Sequence, residues 1–498
     1  MSRPAMTLRE LLQDRADAGA AGGIVVRGLT LDSRRVQPGD AFVALQGTAT
    51  HGIAFAPAAA ERGAVAVLAE DSGTGNRESR TGKADETPVV WIEDLRTGLG
   101  AIASHWFGEP SQALRVIGVT GTNGKTSTVQ LLAQALHEGG LRVATIGTLG
   151  AGAYGAIREG ERTTPDAIAV HGLLADFRDA DVSHVAMEVS SHALEQGRVN
   201  AVAFELAVFT NLTRDHLDYH GTMDAYGAAK QRLFAWPGLG AAIINVDDAF
   251  GRALTSTVGA GTKLLRYGIE RDEAEVVARA IQTGADGLAF RLVTPWGEGD
   301  VTTRLLGRFN VSNLLAVAAC LGQLGFTFER IRAALAGLDP VAGRMNRLGG
   351  GAQALVVIDY AHTPDALEQA LTSLRAHCAG RLVCVFGCGG ERDAGKRPQM
   401  GAIAEALADR IVVTDDNPRG EDGDAIVAQI LAGLARPAAA VVERDRAAAI
   451  AAAIADARPG DVVLIAGKGH EPYQEVAGVK RPFDDLQVAR AALGQGTC

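Results

Sequence analysis

Positive charge is in deficit in this sequence, and long apolar runs are missing. There are 48 lysines and arginines against 58 aspartates and glutamates. The resulting net charge of -10 argues against general nucleic-acid binding, which requires a basic surface. No apolar run reaches the ~18 residues that a transmembrane helix requires, so we expect no membrane insertion. The N-terminal stretch MSRPAMTLRELLQDRADAGA carries acids and arginines and lacks the apolar segment of a signal peptide, which favours a cytoplasmic protein.

Cysteine is also scarce, with five in 498 residues. Cys384 and Cys388 are four residues apart and follow His377 and Cys378, which raises the question of a metal site. The stretch RLVCVFGCGG has instead the pattern of a buried strand that ends in a glycine turn, where cysteine acts as a small hydrophobic residue. Residues four apart on a strand are well separated. A structural role is therefore favoured.

The length predicts several domains, and changes in pattern suggest two boundaries. Residues 1–107 contain short strand-like runs and a polar insertion at 70–88 that predicts a surface loop. In residues 108–340, short apolar runs alternate with helical segments and end in polar or small residues, as in a mostly parallel sheet. Hairpin-like strands are predicted at 275–308, and residues 341–498 begin a new series of strands and helices. We predict an α/β protein of three domains, the last of them Rossmann-like.

The stretch GVTGTNGKTST, residues 118–128, is similar to a phosphate-binding loop with a shortened spacing. Val119 stands where the usual pattern has its first glycine. A strand-like run precedes the loop and a helical pattern starts at Lys125, so backbone N–H groups would face a bound phosphate. Lys125 can place a cation on the β- and γ-phosphates, and Thr126 can ligate Mg²⁺. A tight turn with a solvated lysine is the alternative, but the setting favours a nucleotide site and a P-loop-type central domain.

Further motifs accompany this loop along nearly the whole chain. They are LDSR (31–34), TTPDA (163–167), MEVSSHALEQGRV (187–199), FTNLTRDHLDYHGTMDAYGAAK (209–230), GRFNVSNLLAV (307–317), DYAHTPDAL (359–367), FGCGGERDAGKRP (386–398), DNPR (416–419) and GKGHE (467–471). In this order they resemble the Mur ligase family, the ATP-dependent peptide ligases of peptidoglycan synthesis, which are related to folylpolyglutamate synthetase. Within the family, they are most similar to members that add meso-diaminopimelate to the D-glutamate of a UDP-muramoyl dipeptide.

The resemblance implies a reaction in two steps. The substrate carboxylate attacks the γ-phosphate of ATP to give an acyl phosphate, and the diaminopimelate amine then displaces phosphate to form an amide. The enzyme would contribute positioning and charge neutralisation. The matching ATP-binding positions are Gly121, Thr122, Asn123, Gly124, Lys125, Thr126, Ser127, Asn313, Arg344 and Asp359. For the last three, a helix-cap asparagine, a linker arginine and a strand-end aspartate are the alternatives.

The catalytic and metal-binding positions that the resemblance implies are Thr126 and Lys125 in the loop together with Glu188, His216 and Lys230. Glu188 and His216 match the family's Mg²⁺ ligands. Alternatively, Glu188 pairs with a nearby base, and His216 is a loop histidine bound to Asp215 or Asp218. Lys230 matches a lysine that CO₂ converts to a carbamate able to bind a second Mg²⁺, which requires a desolvated amine of lowered pKa. A solvated helix lysine is the alternative.

Two further groups of positions match the family's other substrate sites. For the UDP-muramoyl dipeptide they are Leu31, Ser33, Thr163, Thr164, Ser190, Gln196 and Arg198. For meso-diaminopimelate they are Arg392, Asp416, Asn417, Pro418, Arg419, Gly467 and Glu471. An arginine fork suits the distal carboxylate of diaminopimelate, and a carbonyl and a carboxylate suit its ammonium. Asn-Pro also favours a simple turn, and residues 48–50 depart from relatives, so contacts there stay open.

Three other functions compete with this reading. A folylpolyglutamate synthetase-like ligase shares the loop and the acyl phosphate, but LDSR and DNPR argue against it. A P-loop kinase or motor ATPase would need no diaminopimelate motif, and a nucleotide sensor without catalysis would be expected to lose Lys125, Glu188 or Lys230. We expect a monomer whose partners are small molecules only: ATP with Mg²⁺, the UDP-muramoyl dipeptide and meso-diaminopimelate. Its domains are expected to close before chemistry.

Overall fold

The structure is a computed structural model that describes residues 5–47, 50–71, 87–284 and 287–494. Thr48 and Ala49, most of the insertion predicted at 70–88, and Cys498 lie outside the described residues. The chain divides into two compact units, Met1–Leu265 and Arg266–Cys498. The predicted boundaries after residues 107 and 340 are not tested by this division and stay predictions. None of the described helices has the length and hydropathy that a membrane crossing requires.

The first unit begins with a small parallel sheet. Its strands and helices are β1 (Met6–Thr7), α1 (Leu8–Leu12), β2 (Val25–Val26), β3 (Gly28–Thr30), β4 (Asp40–Ala44), α2 (Ala56–Glu61), β5 (Ala66–Asp71), β6 (Val89–Glu93) and α3 (Leu95–Trp106). Strands β3 to β6 pair in sequence order, and all three pairs are parallel. Alternate β5 residues face opposite cores: Leu68 packs in the cluster of Leu99 from α3, and Val67 packs in the cluster of Ala59 from α2. Burial on both faces explains the continuous apolar run of this strand.

A second sheet of the first unit follows. Its elements are β7 (Arg115–Thr120), α4 (Lys125–Glu138), β8 (Val143–Gly147), β9 (Gly150–Ala153), α5 (Ala167–Asp179), β10 (His184–Glu188), α6 (Ser191–Glu195), β11 (Phe204–Phe209), α7 (Leu217–His220), α8 (Met223–Gln231), β12 (Ala241–Asn245) and α9 (Ala249–Leu254). The strand order is β12-β11-β7-β10-β8-β9, and every pair but the last is parallel. From β7 the chain continues to β8 on one side of it and later reaches β11 on its other side. The carboxyl end of β7 is therefore a point where the strand order reverses, which is the usual place for a ligand in such sheets.

The second unit starts with the predicted hairpins. Its first elements are β13 (Lys263–Ile269, which contains the division between the units), β14 (Val276–Gly284), β15 (Gly287–Thr294), β16 (Gly297–Thr303), α10 (Arg308–Gln323) and α11 (Phe328–Gly337). Strands β14, β15 and β16 form an antiparallel meander, as the sequence predicts. Helix α10 is buried along most of its length, which accounts for its nearly uninterrupted apolar sequence.

The rest of the second unit is built on a mainly parallel sheet. Its elements are β17 (Asn346–Gly349), β18 (Leu355–Asp359), α12 (Pro364–Arg375), β19 (Leu382–Phe386), α13 (Lys396–Leu407), β20 (Arg410–Val413), α14 (Gly423–Leu431), β21 (Val441–Val442), α15 (Arg446–Asp456), β22 (Val462–Ala466), β23 (Tyr473–Val476), β24 (Val479–Pro482) and α16 (Asp485–Ala492). The order is β17-β18-β22-β19-β20-β21, with only β17 antiparallel. The predicted series of strands ending in loops is therefore found, whereas the edge strands β17 and β21 and the hairpin β23–β24 were not foreseen.

The two closely spaced cysteines are part of this core. Cys384 is fully buried in β19, and Cys388 is 3% exposed in the turn that follows. Burial raises the pKa of the Cys388 thiol to about 12. Both thiols are therefore protonated and inert at neutral pH, in agreement with the structural role that the strand pattern favours.

Candidate functional site

The predicted phosphate loop connects β7 to α4. Gly121 has φ 149° and Gly124 has φ 83°, both in the region that favours glycine. A Cβ atom on Gly121 would lie 1.9 Å from Oγ1 of Thr210, so a larger residue would push the loop away from β11. Helix α4 begins at Lys125, as predicted, and its N-terminus therefore opens at the loop. This is the geometry in which a short glycine loop holds phosphate.

The loop is held in place by the segment that follows β11. The backbone N–H of Thr122 donates to the Asn211 carbonyl at 2.8 Å, and the N–H of Asn123 donates to Asn211 Oδ1 at 2.9 Å. Thr210 Oγ1 in turn donates to the Asn123 carbonyl at 2.6 Å. The first part of the loop is thus fastened to the protein, which leaves the helix end of the loop to meet a ligand.

Two lysine ammonium groups converge on this loop. Lys125 Nζ donates to the carbonyls of Gly121 at 2.9 Å and Thr122 at 2.7 Å, and Lys230 Nζ donates to the same Gly121 carbonyl at 2.8 Å. Lys230 is 1% exposed and lies 4.3 Å from the centre of the Tyr226 ring. Burial, and next the charge of Lys125, lower the pKa of Lys230 well below its usual value. Lys230 is therefore not the solvated helix lysine of the alternative reading, and its surroundings favour the neutral amine.

Glu188, at the end of β10, is buried beside the loop after β8. Its Oε1 accepts from the N–H of Thr148 at 2.8 Å, and its Oε2 accepts from the Thr148 hydroxyl at 3.2 Å. A Cβ atom on Gly147 would lie 2.4 Å from Glu188 Oε1, so the carboxylate needs a glycine there. A carboxylate can accept about four hydrogen bonds, and these two leave room for a ligand. The pairing with a base, which is the alternative reading of Glu188, does not occur among these contacts.

The His216 ring lies near one of the two carboxylates named in its alternative reading. Its ring Nε2 is 3.5 Å from Asp215 Oδ2, and its ring centre is 4.9 Å from that of His192. Burial lowers the pKa of His216, and it lowers the pKa of His192 to about 4, so both rings are neutral at pH 7. A neutral imidazole can bind a metal, but here the carboxylate of Asp215 faces it.

The donors fit Mg²⁺ in part. The Thr126 hydroxyl and the Glu188 carboxylate, both buried, are the oxygen donors that Mg²⁺ prefers. Within the described residues, no group of three or more His, Cys, Asp or Glu side chains forms a metal cluster by itself. Mg²⁺ commonly takes one or two carboxylates and completes its shell with waters and substrate phosphates. The donor set therefore suits a metal that arrives with a nucleotide.

The positions predicted for the UDP substrate lie next to Glu188. Thr164 Oγ1 donates to the Glu188 carbonyl at 2.8 Å and lies 3.3 Å from Ser190 Oγ. Arg198 Nη1 donates to the Thr164 carbonyl at 2.9 Å, and its Nε donates to Gln196 Oε1 at 3.0 Å. The structure therefore brings four of the seven positions together.

The other three UDP-substrate positions divide between the same region and the N-terminal sheet. Thr163 Oγ1 is 3.1 Å from the hydroxyl of Thr148, which also binds Glu188. Leu31 packs against the core under β4 and β5, and Ser33 begins the 3-10 turn Ser33–Arg35. No described contact joins Leu31 or Ser33 to the Thr164 group.

The ATP positions predicted outside the loop lie in the second unit. Asn313 Nδ2, within α10, donates to Asn310 Oδ1 at 2.9 Å. Asp359, at the end of β18, accepts from the N–H of Met345 at 2.9 Å through Oδ2. Burial raises the pKa of Asp359, and the charge of Arg344 opposes that rise. The guanidinium of Arg344 also lies 4.8 Å from the Tyr360 ring centre. Arg344 and Asp359 are thus neighbours.

The predicted diaminopimelate positions form a group in the second unit. Asn417 Nδ2 donates to Glu471 Oε2 at 2.8 Å. Gly467 has φ 117°, and a Cβ atom there would lie 2.6 Å from Asp416 Oδ2. These contacts join the DNPR and GKGHE motifs, which are some fifty residues apart in sequence. DNPR is therefore more than an isolated turn.

The two arginines of this group meet at one glycine. Arg419, with φ 53°, donates from Nη1 to the Gly390 carbonyl at 2.7 Å. A Cβ atom on Gly389 would lie 2.8 Å from Arg419 Nη1 and 3.8 Å from Arg392 Cγ. Arg392 is exposed, and the Pro418 carbonyl faces Gly390, where a Cβ atom would approach it to 1.9 Å. The predicted positions thus surround the turn after β19.

Sequence reasoning missed several side chains of these groups. They are Thr148, Thr210, Asn211, Thr213, Tyr226 and Lys468. Three of them follow the parallel strands β8 and β11 directly, which is a signal that could have identified them, because the carboxyl ends of parallel strands share one edge of a sheet. Tyr226 and Lys468 are buried for reasons that local sequence does not carry.

Known proteins resemble this chain over nearly its whole length. Three family models match: the Mur ligase family catalytic domain over residues 25–107, the Mur ligase middle domain over 119–321, and the Mur ligase glutamate ligase domain over 343–469. The UDP-N-acetylmuramoyl-L-alanyl-D-glutamate–2,6-diaminopimelate ligase of Xanthomonas campestris pv. campestris (strain 8004) is 57% identical over 495 residues, which cover 99% of this chain and 98% of that protein. The protein of the same name from Pseudomonas aeruginosa (strain PAO1) is 52% identical over 470 residues, or 94% and 95% of the two chains.

Solved structures resemble the same family of proteins. A structure of a UDP-N-acetylmuramoyl-L-alanyl-D-glutamate–2,6-diaminopimelate ligase has a TM-score of 0.73 and 36% identity, and covers 99% of both chains. MurF from Acinetobacter baumannii, with a TM-score of 0.64 and 19% identity over 95% of this chain and 98% of its own, shows the fold alone. The predicted three-domain α/β architecture and the resemblance read from the motifs are confirmed, and the chain belongs to the Mur ligase family.

Proposed function

We propose that this protein is an ATP-dependent amide ligase that adds meso-2,6-diaminopimelate to the D-glutamate of UDP-N-acetylmuramoyl-L-alanyl-D-glutamate. Full-length identity of 57% to a protein named for this activity supports the proposal most strongly. The grouping of DNPR with GKGHE supports the choice of amino acid. The folylpolyglutamate synthetase alternative shares the fold, but a solved example is only 19% identical.

The phosphate loop would hold ATP. Gly121, Gly124 and the N-terminus of α4 would face the β- and γ-phosphates, and Lys125 would neutralise charge that moves onto the γ-phosphate as the glutamate carboxylate attacks it. Thr122, Asn123, Thr126 and Ser127 complete the loop. Asn313, Arg344 and Asp359 would meet the adenine and ribose. In this geometry the protein supplies position and positive charge, and the substrate carboxylate supplies the nucleophile.

Mg²⁺ accompanies ATP in this family, and it would neutralise phosphate charge when bound. Thr126 and Glu188 would hold it, with His216 as a third ligand once the ring turns from Asp215. Lys230 would carry a carbamate. Its neutral amine would attack CO₂ and lose a proton, forming an N–C bond and leaving a carboxylate where an ammonium stood. The buried, desolvated Lys230 supports this step.

The remaining positions would bind the two substrates that the new amide bond joins. Thr163, Thr164, Ser190, Gln196 and Arg198 would contact the UDP-muramoyl dipeptide, together with Leu31 and Ser33 of the small N-terminal sheet. Arg392, Asp416, Asn417, Pro418, Arg419, Gly467 and Glu471 would contact diaminopimelate. The diaminopimelate amine attacks the acyl phosphate carbonyl, the C–O bond to phosphate breaks, and the amine proton leaves to solvent.

The organisation of the protein follows from these roles. We assign residues 1–107 to UDP-substrate binding, 108–340 to ATP binding and 341–498 to amino-acid binding. Its substrates are nucleotides and a nucleotide-linked peptide, which cells keep in the cytoplasm, and we place the reaction there. We propose a monomer, because one chain carries all the positions that the reaction needs.

Phosphate release tests this function. The full chain is incubated with ATP, Mg²⁺ and the UDP-muramoyl dipeptide, and either meso-diaminopimelate or L-lysine is added. Released phosphate is quantified, and the mass of the peptide product is determined by mass spectrometry. We expect phosphate and the tripeptide with diaminopimelate and much less of both with lysine. Equal rates with lysine would overturn the selectivity assigned to Arg419 and Arg392. Silence with both, but turnover of a folate with glutamate, would overturn the ligase assignment in favour of the folate-type alternative. Lys125→Met should be inactive, and Lys263→Met, at an exposed lysine, should match the wild type.

A further inference from the structure

One lysine of the second unit is completely buried and has no role in the function described so far. Lys468 lies in the GKGHE motif after β22 and is 0% exposed. Its Nζ donates to Asn417 Oδ1 at 3.0 Å and to Glu471 Oε2 at 3.1 Å, and it lies 3.8 Å from Asp416 Oδ1. Asn417 and Glu471 also bind each other at 2.8 Å. Lys468 is thus the centre of the group that the proposed function assigns to diaminopimelate.

The surrounding contacts fix the orientation of each partner. Asn417 Oδ1 accepts from Lys468 and from the N–H of Glu475 at 2.9 Å, so its amide can point only its Nδ2 toward Glu471. Glu471 Oε2 then receives two donors, one from Asn417 and one from Lys468. The Glu471 side chain is 21% exposed, whereas that of Lys468 is 0% exposed. Glu471 therefore forms the open side of the group.

Glu471 is the carboxyl group of this site that a ligand can reach. Lys468 Nζ faces two carboxyl groups, those of Asp416 and Glu471. Asp416 is buried, burial raises its pKa, and the charge of Arg446 opposes that rise. An ammonium that meets Glu471 at its open side would gain a charge-assisted contact.

We propose that Lys468 is a positioning residue for the ammonium of the distal amino-acid head: it holds Asn417 and Glu471 in one arrangement, so that Glu471 meets the distal amine and the site selects an amine-bearing substrate. The inference rests on the proposed ligation of diaminopimelate. A structural lysine would hold the fold but would not discriminate between substrates. Lys468 instead acts on the distal amine and not on the amine that reacts.

A comparison of two substrates tests this role. L-2-Aminopimelate keeps the reacting amine and the distal carboxylate of meso-diaminopimelate but lacks the distal amine. For Lys468→Met we expect the KM for diaminopimelate to rise at least tenfold, because Asn417 and Glu471 are no longer held in place for the distal amine, while kcat and the KM values for ATP and the UDP-muramoyl dipeptide change little. The KM for L-2-aminopimelate should change less than threefold. Lys480→Met is the matched control, because Lys480 lies over the same Tyr473 ring but is exposed.

Two results would overturn the role of Lys468: equal increases of KM for both substrates, or an unchanged KM for diaminopimelate. Wild-type protein that fails to use diaminopimelate at all would instead overturn the proposed function, so the two failures are distinct. If Lys468→Met does not fold, the same ratio of KM values is measured on Lys468→Gln, whose shorter side chain keeps a donor but cannot hold both Asn417 and Glu471. A ratio equal to that of the wild type in that variant would overturn the role of Lys468.

Discussion

Two lysines of this protein are almost completely shielded from water, but their neighbours differ in the sign of their charge. Lys230, 1% exposed, shares the Gly121 carbonyl with the ammonium of Lys125. Lys468, 0% exposed, lies between Asn417 and the carboxyl groups of Glu471 and Asp416. Burial is the same in the two regions, so the neighbours decide what each amine can do.

The comparison separates an amine that can react from an amine that orients its neighbours. A buried charge is tolerated where opposite charge compensates for the lost water, and otherwise the group becomes neutral. Beside Lys125 the pKa of Lys230 is lowered well below its usual value, and a neutral amine can react with CO₂. Beside two carboxyl groups, Lys468 Nζ donates to Asn417 and Glu471 and orients them. Similar burial thus supports different roles.

The largest expected effect is the loss of turnover in Lys230→Met. Without the amine no carbamate forms, and charge stabilisation at the γ-phosphate falls, so kcat should drop by about 10²- to 10³-fold. Phosphate release under saturating substrates measures it. Lys263→Met, at an exposed lysine in β13, is the control and should retain wild-type turnover. Turnover within threefold of the wild type in Lys230→Met would remove the distinction between the two lysines.

The second largest expected effect is a loss of stability in Lys468→Met. Lys468→Met leaves Glu471 and Asp416 without their cation, and breaking a buried ion pair in this way costs about 3–5 kcal/mol. Urea unfolding of the full-length variant and of the full-length wild type measures the change in the free energy of unfolding. Lys480→Met should leave the free energy of unfolding within about 0.5 kcal/mol of the wild type, because Lys480 is exposed. An unchanged midpoint in Lys468→Met would contradict the pairing.

A third, smaller effect distinguishes two cations within the second unit. Arg419→Lys removes the planar fork but keeps the charge, so the KM for diaminopimelate should rise about tenfold while that for L-lysine stays constant. The physical reason is that L-lysine has no distal carboxylate for the fork to hold. Steady-state kinetics with both amino acids measures the two values. Parallel increases for both would show that Arg419 acts on the fold of the Gly390 turn and not on the substrate.

The smallest effect is the pH dependence of unfolding. Because the folded pKa of Lys230 is lowered, the unfolded chain binds more protons between that pKa and 10.5, and the free energy of unfolding of the wild type rises with pH across this window. In CO₂-free buffer at pH 7, Lys230→Met should therefore be more stable than the wild type. The difference should shrink as pH approaches 10.5. A difference that grows with pH would contradict a buried neutral amine.

The sequence was sufficient for features that local patterns carry. TGTNGKTS predicts a glycine loop and a helix starting at Lys125, and both are found, because glycine conformation and helix start depend on a few neighbouring residues. Runs such as HVAMEV predict buried strands for the same reason. The order of the motifs along the chain was also sufficient to identify the family.

Contacts between distant residues could not be read in this way. Thr148 and Glu188 are 40 residues apart, and Lys468 and Asn417 are 51 apart. Their pairing depends on which strands become neighbours, such as β8 beside β10, and nothing near either residue encodes that. The burial of Lys230 and Lys468 belongs to the same class, because a lysine in a helix or a glycine loop is solvated by default.

Carbon-13 NMR of the full chain in ¹³C-bicarbonate, with Mg²⁺ and ATP, tests the contrast between the two lysines most directly. We predict one carbamate signal in the wild type, lost in Lys230→Met and kept in Lys468→Gln, because burial beside the charge of Lys125 favours the neutral amine of Lys230. Absence of a signal in the wild type, or a signal that disappears in Lys468→Gln and persists in Lys230→Met, would contradict this contrast.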